Sequence, residues 1–97
     1  VDLIQSEKTP QIERKIAPHP NIKPQSFMRK IVYAALPLGE GVVLDTFSGS
    51  GSTLAAATFW GIDSIGIEKD PEFFEMSQST VPRLAELYPD QTKLLFY

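Results

Sequence analysis

The stretch Val42-Val43-Leu44-Asp45-Thr46-Phe47-Ser48-Gly49-Ser50-Gly51-Ser52-Thr53 decides how the chain folds. Its first three residues are apolar and two are β-branched, which predicts a short buried strand ending on a carboxylate. A turn of glycine and hydroxyl residues follows, and Leu54-Ala55-Ala56-Ala57 continues a helix that begins near Thr53. Glycines lack a Cβ, so the backbone can fold tightly and approach a ligand, while the first amides of a helix face outward. Asp45 then sits at the carboxyl end of a strand, where open α/β sheets hold their ligands. Alone, the same stretch also describes an ordinary strand-to-helix turn, so its neighbours must decide.

Downstream, the helix from about Thr53 to Trp60 stops at Gly61, and Ser64-Ile65-Gly66-Ile67-Glu68 reads as a second strand that again closes on an acid. Asp70 caps a further helix with Pro71 and Glu72 in its first turn. Phe73, Phe74, Met76 and Val81 are spaced to pack on the sheet. Pro82 is expected to kink or split that helix, with Ser79 or Thr80 recapping a segment to Leu87. Lys93-Leu94-Leu95-Phe96-Tyr97 reads as a third strand.

Upstream, Phe27, Met28, Ile31, Val32, Ala35 and Leu36 recur three and four apart, one face of a helix from Gln25 or Ser26 to Leu36, with Arg29 and Lys30 on the other face. Pro37 ends it. Residues 1–24 carry Pro10, Pro18, Pro20 and Pro24 of the eight prolines and read as an extended, irregular arm with room for one short strand at its start. Residues 25–97 are then the α/β unit. Strand, helix, strand, helix, strand is the first half of a doubly wound, Rossmann-like parallel sheet of about three strands with flanking helices.

Bulk composition narrows the chemistry. Ninety-seven residues suffice for one domain at most, and 42% hydrophobic content is ordinary for a globular protein. With no cysteine and a single histidine, a disulfide framework and the usual Cys/His zinc site are set aside, and no metal is expected. A net charge of −3 argues against a stand-alone nucleic-acid binder and leaves Lys15, Lys23, Arg29 and Lys30 as one small basic cluster. No apolar run approaches the roughly 20 residues of a membrane span, and the start lacks a basic-then-apolar pattern. The expected location is the cytoplasm.

Two phosphate signatures fail at the glycine turn. Leu54 stands where a dinucleotide fingerprint needs its third glycine, and no lysine lies between Glu40 and Ile67 to serve a P-loop. An anion at Asp45 suits a cationic ligand group instead. Glu68 lies 19 residues after Gly49, at the end of the neighbouring strand, where a carboxylate can accept from both hydroxyls of a ribose. An adenosine bearing a positively charged amino-acid tail fits this pair of acids, which describes S-adenosylmethionine.

Three motifs in order, His19-Pro20-Asn21-Ile22-Lys23-Pro24, Asp45 to Thr53, and Ile65-Gly66-Ile67-Glu68, resemble the cofactor half of the amino-group DNA methyltransferases. Those enzymes make N6-methyladenine or N4-methylcytosine. The resemblance runs from about Pro18 to Leu87. It implies that Lys23 and Pro24 border the methionine tail, matching the end of a His-Pro-Thr-Gln-Lys-Pro pattern. It also implies that Asp45, Phe47, Gly49, Gly51 and Ser52, with Thr46 and Ser48 between them, line the methionine end, as in Asp-Pro-Phe-x-Gly-Ser-Gly-Thr-Thr. Glu68 matches the ribose-binding acid. Thr46 in place of proline, Ser52 in place of threonine and Asn21-Ile22 in place of Thr-Gln are mild departures.

The family's catalytic Asp/Asn/Ser-Pro-Pro-Tyr/Phe motif has no counterpart here, because no Pro-Pro dipeptide occurs, so no residue is assigned a catalytic role. A target-recognition region is missing as well. The resemblance therefore implies the carboxyl-terminal part of a longer restriction-modification type of methyltransferase, with DNA bound through the other half. The first strand would be central in that sheet, so an apolar edge is expected to be exposed and to pair with a second chain or with the rest of the enzyme. One alternative is a non-catalytic remnant or interaction module that keeps the fold. Another, a small-molecule or RNA methyltransferase, fits the His-Pro-x-x-Lys-Pro segment less well.

Overall fold

The computed structural model describes residues 8–19, 22–36, 40–46, 49 and 51–90. Where the prolines predict an extended arm, Gln11–Ile16 form a helix, α1. Pro10 precedes it with a φ of −61°, its carbonyl accepts from the Glu13 and Arg14 N–H groups, and Pro18 lies just past its end. Two prolines thus bracket a helix, because proline is tolerated at helix boundaries and harmful only inside.

Helix α2, Gln25–Ala35, begins directly after Pro24, close to the predicted bounds. Its buried residues are Gln25, Met28, Arg29 and Val32, spaced as one helical stripe. Arg29, expected on the solvent face with Lys30, is 0% exposed and leaves the supposed basic cluster. The stripe is rotated from the apolar face because polar groups of the neighbouring helices meet it there.

Strand β1, Val42–Asp45, pairs in parallel with β2, Asp63–Gly66, with Val42 opposite Asp63 and Asp45 opposite Gly66. Parallel neighbours need a crossover, which α3, Ser52–Phe59, supplies. Among the described residues the sheet has these two strands. The strand read at residues 93–97 lies outside the described residues. Helix α4, Pro71–Ala85, starts from the Asp70 cap, whose Oδ1 accepts from the Glu72 N–H at 2.9 Å. It runs unbroken through Pro82, contrary to the expected split. Proline removes one N–H that the Gln78 carbonyl would receive, and both residues are exposed, so water can satisfy that carbonyl.

The core is built around α3, whose Ala55, Ala56 and Ala57 are all 0% exposed. Small side chains let helices approach from both sides. Met28 and Val32 of α2 join Ala56, Ala57 and Ile62, while Ala17, Ile22 and Leu84 close on Ala55. Helix α4 turns Ser77, Thr80 and Leu84 inward, so Phe74, expected against the sheet, is 48% exposed.

Side chains alternate across a strand. Val43 packs on the α2 and α3 cluster, whereas Val42, Leu44, Ile65 and Ile67 are 57%, 62%, 56% and 53% exposed. The apolar strand predicted to be buried is covered on one face only, because α2 and α3 pack on the same side. No helix among the described residues is long and apolar enough to cross a membrane.

A buried polar network ties the ends of this core together. Glu13 Oε1 accepts from the Gln25 N–H at 2.8 Å and Oε2 from the Tyr88 hydroxyl at 2.9 Å. Arg29 donates through Nε to Gln25 Oε1 and through Nη2 to the Leu84 and Ala85 carbonyls at the end of α4. Burial lowers the Arg29 pKa to about 10, against the pull of Glu13 and Tyr88, so it stays charged at neutral pH. Burial and the bond to Glu13 push Tyr88 up to about 12.

Candidate functional site

The sheet delivers two acids to one end. After β2 the ladder continues for one more bond, from the Ile67 N–H to the Asp45 carbonyl at 2.9 Å, and this places Glu68 beside the turn that leaves β1. Glu68 Oε1 accepts from the Gly49 N–H at 2.8 Å, and Oε2 accepts from the Asp70 N–H at 2.8 Å. One carboxylate thus holds the glycine turn to the entry of α4. Each of its oxygens has accepted a single bond, and a carboxylate offers about four lone-pair sites, so capacity remains for further donors.

The turn requires its glycines. Gly49 has φ +50° and Gly51 has φ +85°, both left-handed, and both are buried. A Cβ on Gly49 would lie 3.1 Å from His19 Nε2, and one on Gly51 would overlap Val81 Cγ2 of α4. His19 in turn packs on Phe73, with ring centroids 4.2 Å apart and planes inclined at 56°. The turn is therefore gripped from the His19 side and from the α4 side.

Helix α3 starts at Ser52, directly after Gly51, and Ser52 is 5% exposed. Its Oγ accepts from the Lys23 N–H at 3.3 Å, and its carbonyl accepts from Gln25 Nε2 at 2.8 Å. The His-Pro-x-x-Lys-Pro segment and the glycine turn, distant in sequence, are thus in contact. Lys23 reaches the turn through its backbone while its side chain is exposed, and Pro24 is buried at the head of α2.

Of the residues singled out from the sequence, Lys23, Pro24, Gly49, Gly51, Ser52 and Glu68 are joined directly or through one neighbour. Asp45 ends β1 at the same mouth, and Thr46, next to it, is exposed. Phe47 and Ser48 lie outside the described residues, as do Pro20 and Asn21. Three residues were missed. His19 stood in a motif from which only Lys23 and Pro24 received a role, Phe73 was assigned to sheet packing, and Gln25 drew no notice beyond marking the start of a helix. Only His19 carried a usable signal, its place at the head of a motif that already included Lys23.

Chemically, the mouth combines the Asp45 and Glu68 carboxylates with the start of α3. Acids there suit an ammonium or sulfonium group, free lone pairs on Glu68 suit sugar hydroxyls, and helix-start amides suit a carboxylate. An amino-acid tail on a nucleoside carries all three groups. Among the described residues, no group of three or more His, Cys, Asp or Glu is placed to hold a metal ion.

Comparison with known proteins gives the same direction. The DNA methylase family, of N6/N4 methyltransferases, matches residues 3–79. The chain is 30% identical over 81 residues to the type II methyltransferase M2.MboI of Moraxella bovis, covering 84% of this chain and 29% of that protein. It is 33% identical over 72 residues to the type II methyltransferase M.HinfI of Haemophilus influenzae, covering 74% and 19%. It is 40% identical over 58 residues to the DNA adenine methyltransferase YhdJ of Escherichia coli, covering 60% and 19%. The chain thus spans less than a third of the length of these curated relatives. No solved structure matches it.

Proposed function

The chain belongs to the DNA methylase family, and from that premise we propose that residues 25–97 are the unit that binds S-adenosylmethionine for a DNA amino-methyltransferase, with residues 1–24 as its N-terminal segment. The parent reaction moves the sulfonium methyl to the exocyclic nitrogen of adenine (N6) or cytosine (N4), in the cytoplasm, as part of a restriction-modification system. The observation that carries this reading is the Glu68 carboxylate bound to the Gly49 N–H, which joins the strand-end acid to the glycine turn.

The cofactor supplies an activated methyl group when bound. In this reading Glu68 accepts from the ribose, Asp45 faces the cationic tail, and Lys23, Pro24, Thr46, Phe47, Ser48, Gly49, Gly51 and Ser52 enclose the methionine end. These residues contribute position rather than proton transfer, since holding a donor in line removes much of the entropic barrier to a displacement.

Calorimetric titration with S-adenosylmethionine tests the reading. Saturable binding is expected for the chain as it stands, weakened on the order of tenfold or more by Asp45→Asn and by Glu68→Ala, the loss that a single charge-assisted hydrogen bond carries. Glu68 also holds the backbone together, so its variant should lose melting temperature as well. Absence of binding by the folded chain would sink the proposal.

We place the other half of the enzyme, carried by the same polypeptide or by a second one, on the bare side of a Rossmann-like sheet. Val42, Leu44, Ile65 and Ile67 form the kind of exposed apolar patch that marks an interaction surface. In sedimentation, the 97-residue chain alone is expected to self-associate and to bind the dye ANS, and Leu44→Lys combined with Ile65→Lys to abolish both. A monodisperse monomer that binds no dye would refute this placement.

A further inference from the structure

The buried network reaches the glycine turn at Ser52. Ser52 is held at two points around the start of α2, its hydroxyl by the Lys23 N–H just ahead of the helix and its carbonyl by Nε2 of Gln25, the first helical residue, at 2.8 Å. Gln25 is 0% exposed, and each of its polar groups has a defined task. Its backbone N–H is fixed by Glu13 of α1, its Oε1 receives Arg29 Nε at 3.3 Å, and its Nε2 is left to face Ser52. A carboxamide is the one common side chain that can serve a guanidinium with its oxygen and a carbonyl with its nitrogen at the same time.

We propose that Gln25 is a positioning residue for cofactor binding, which by donating to the Ser52 carbonyl sets where α3 begins and so fixes the amides of the glycine turn. The inference rests on the cofactor reading above. It adds that the N-terminal residues serve the site at a distance, since Glu13 orients Gln25 and Gln25 orients Ser52. Hydrophobic packing alone would ask nothing of the nitrogen at position 25.

Gln25→Glu separates the two roles. The new carboxylate keeps the shape and the acceptor for Arg29 but has no hydrogen to give Ser52. Titration of the whole chain with S-adenosylmethionine is expected to weaken about tenfold, beyond what its lowered melting temperature accounts for, because the buried carboxylate faces the Ser52 carbonyl, and hydrogen exchange across residues 49–56 to quicken. Tyr88→Phe is the control, because it removes a partner of Glu13 without touching Ser52. It should leave affinity unchanged whatever it does to the melt.

If affinity in both variants merely follows their melting temperatures, Gln25 is structural and the proposal falls. Should the glutamate variant not fold, Gln25→Met takes its place with the same expected loss. Failure of both to fold also overturns it. If the original chain binds no cofactor, the cofactor reading fails separately, and the exchange measurement still decides whether Gln25 fixes the turn. Unchanged exchange overturns the placement.

Discussion

Arg29→Met is expected to destabilise the chain by about 3–5 kcal/mol, the range found when one partner of a buried charge network is removed. Arg29 is 0% exposed, and its fork spans the Leu84, Ala85 and Tyr88 carbonyls at 3.0, 3.5 and 3.4 Å while its Cζ lies 3.8 Å over the Phe59 ring. The last carbonyls of a helix have no partner within it and carry the negative end of its dipole. Methionine fills part of the volume but takes the charged donor from those oxygens, of which that of Leu84 keeps the Leu87 N–H at 3.2 Å, and leaves Glu13, 1% exposed, without a compensating charge. A small domain holds only about 5–15 kcal/mol in all, so the variant should be largely unfolded at moderate urea. Glu13→Gln in the same chain removes the uncompensated charge and should restore part of the loss, a coupling that a double-mutant cycle reads directly. A urea midpoint within experimental error of the parent would show that the guanidinium contributes little beyond bulk.

Arg29 also marks where the sequence stopped being legible. Spacing located α2, both strands, α3 and the start of α4 to within two or three residues, because periodicity and capping are local properties. It also placed Gly49 and Glu68 together, since a strand, a crossover helix and a second parallel strand leave their carboxyl ends side by side. Burial of Arg29 depends on what α4 presents to α2, and no pattern within α2 records that. The helix at Gln11–Ile16 was hidden by its own prolines, which were weighed as breakers when their spacing suits helix boundaries. Pro82 does not split α4, because water can replace the lost N–H at an exposed carbonyl. The bare sheet face of Val42, Leu44, Ile65 and Ile67 read as buried, since apolar composition does not say which face of a strand its helices cover.

Gly51→Ala is expected to cost roughly 3 kcal/mol or more, the sum of a left-handed conformation that alanine resists and an overpacked contact. Gly61 supplies the comparison. It has φ +72°, near the +85° of Gly51, but a Cβ there meets nothing within 4 Å, whereas a Cβ on Gly51 overlaps Val81 Cγ2. Gly61→Ala should therefore show only the conformational part, about 1–2 kcal/mol, and the excess at position 51 measures how tightly α4 presses on the turn. Adding Val81→Ala to Gly51→Ala should recover much of that excess while leaving the backbone part in place. Equal losses at positions 51 and 61 in urea denaturation would refute the contact. If the excess is real, α4 cannot stay where it is once the turn acquires a side chain. Since Asp70 at the entry of α4 is held by the same Glu68 carboxylate that holds Gly49, displacement of the helix should also disturb the Glu68–Gly49 bond on which the proposed cofactor site rests.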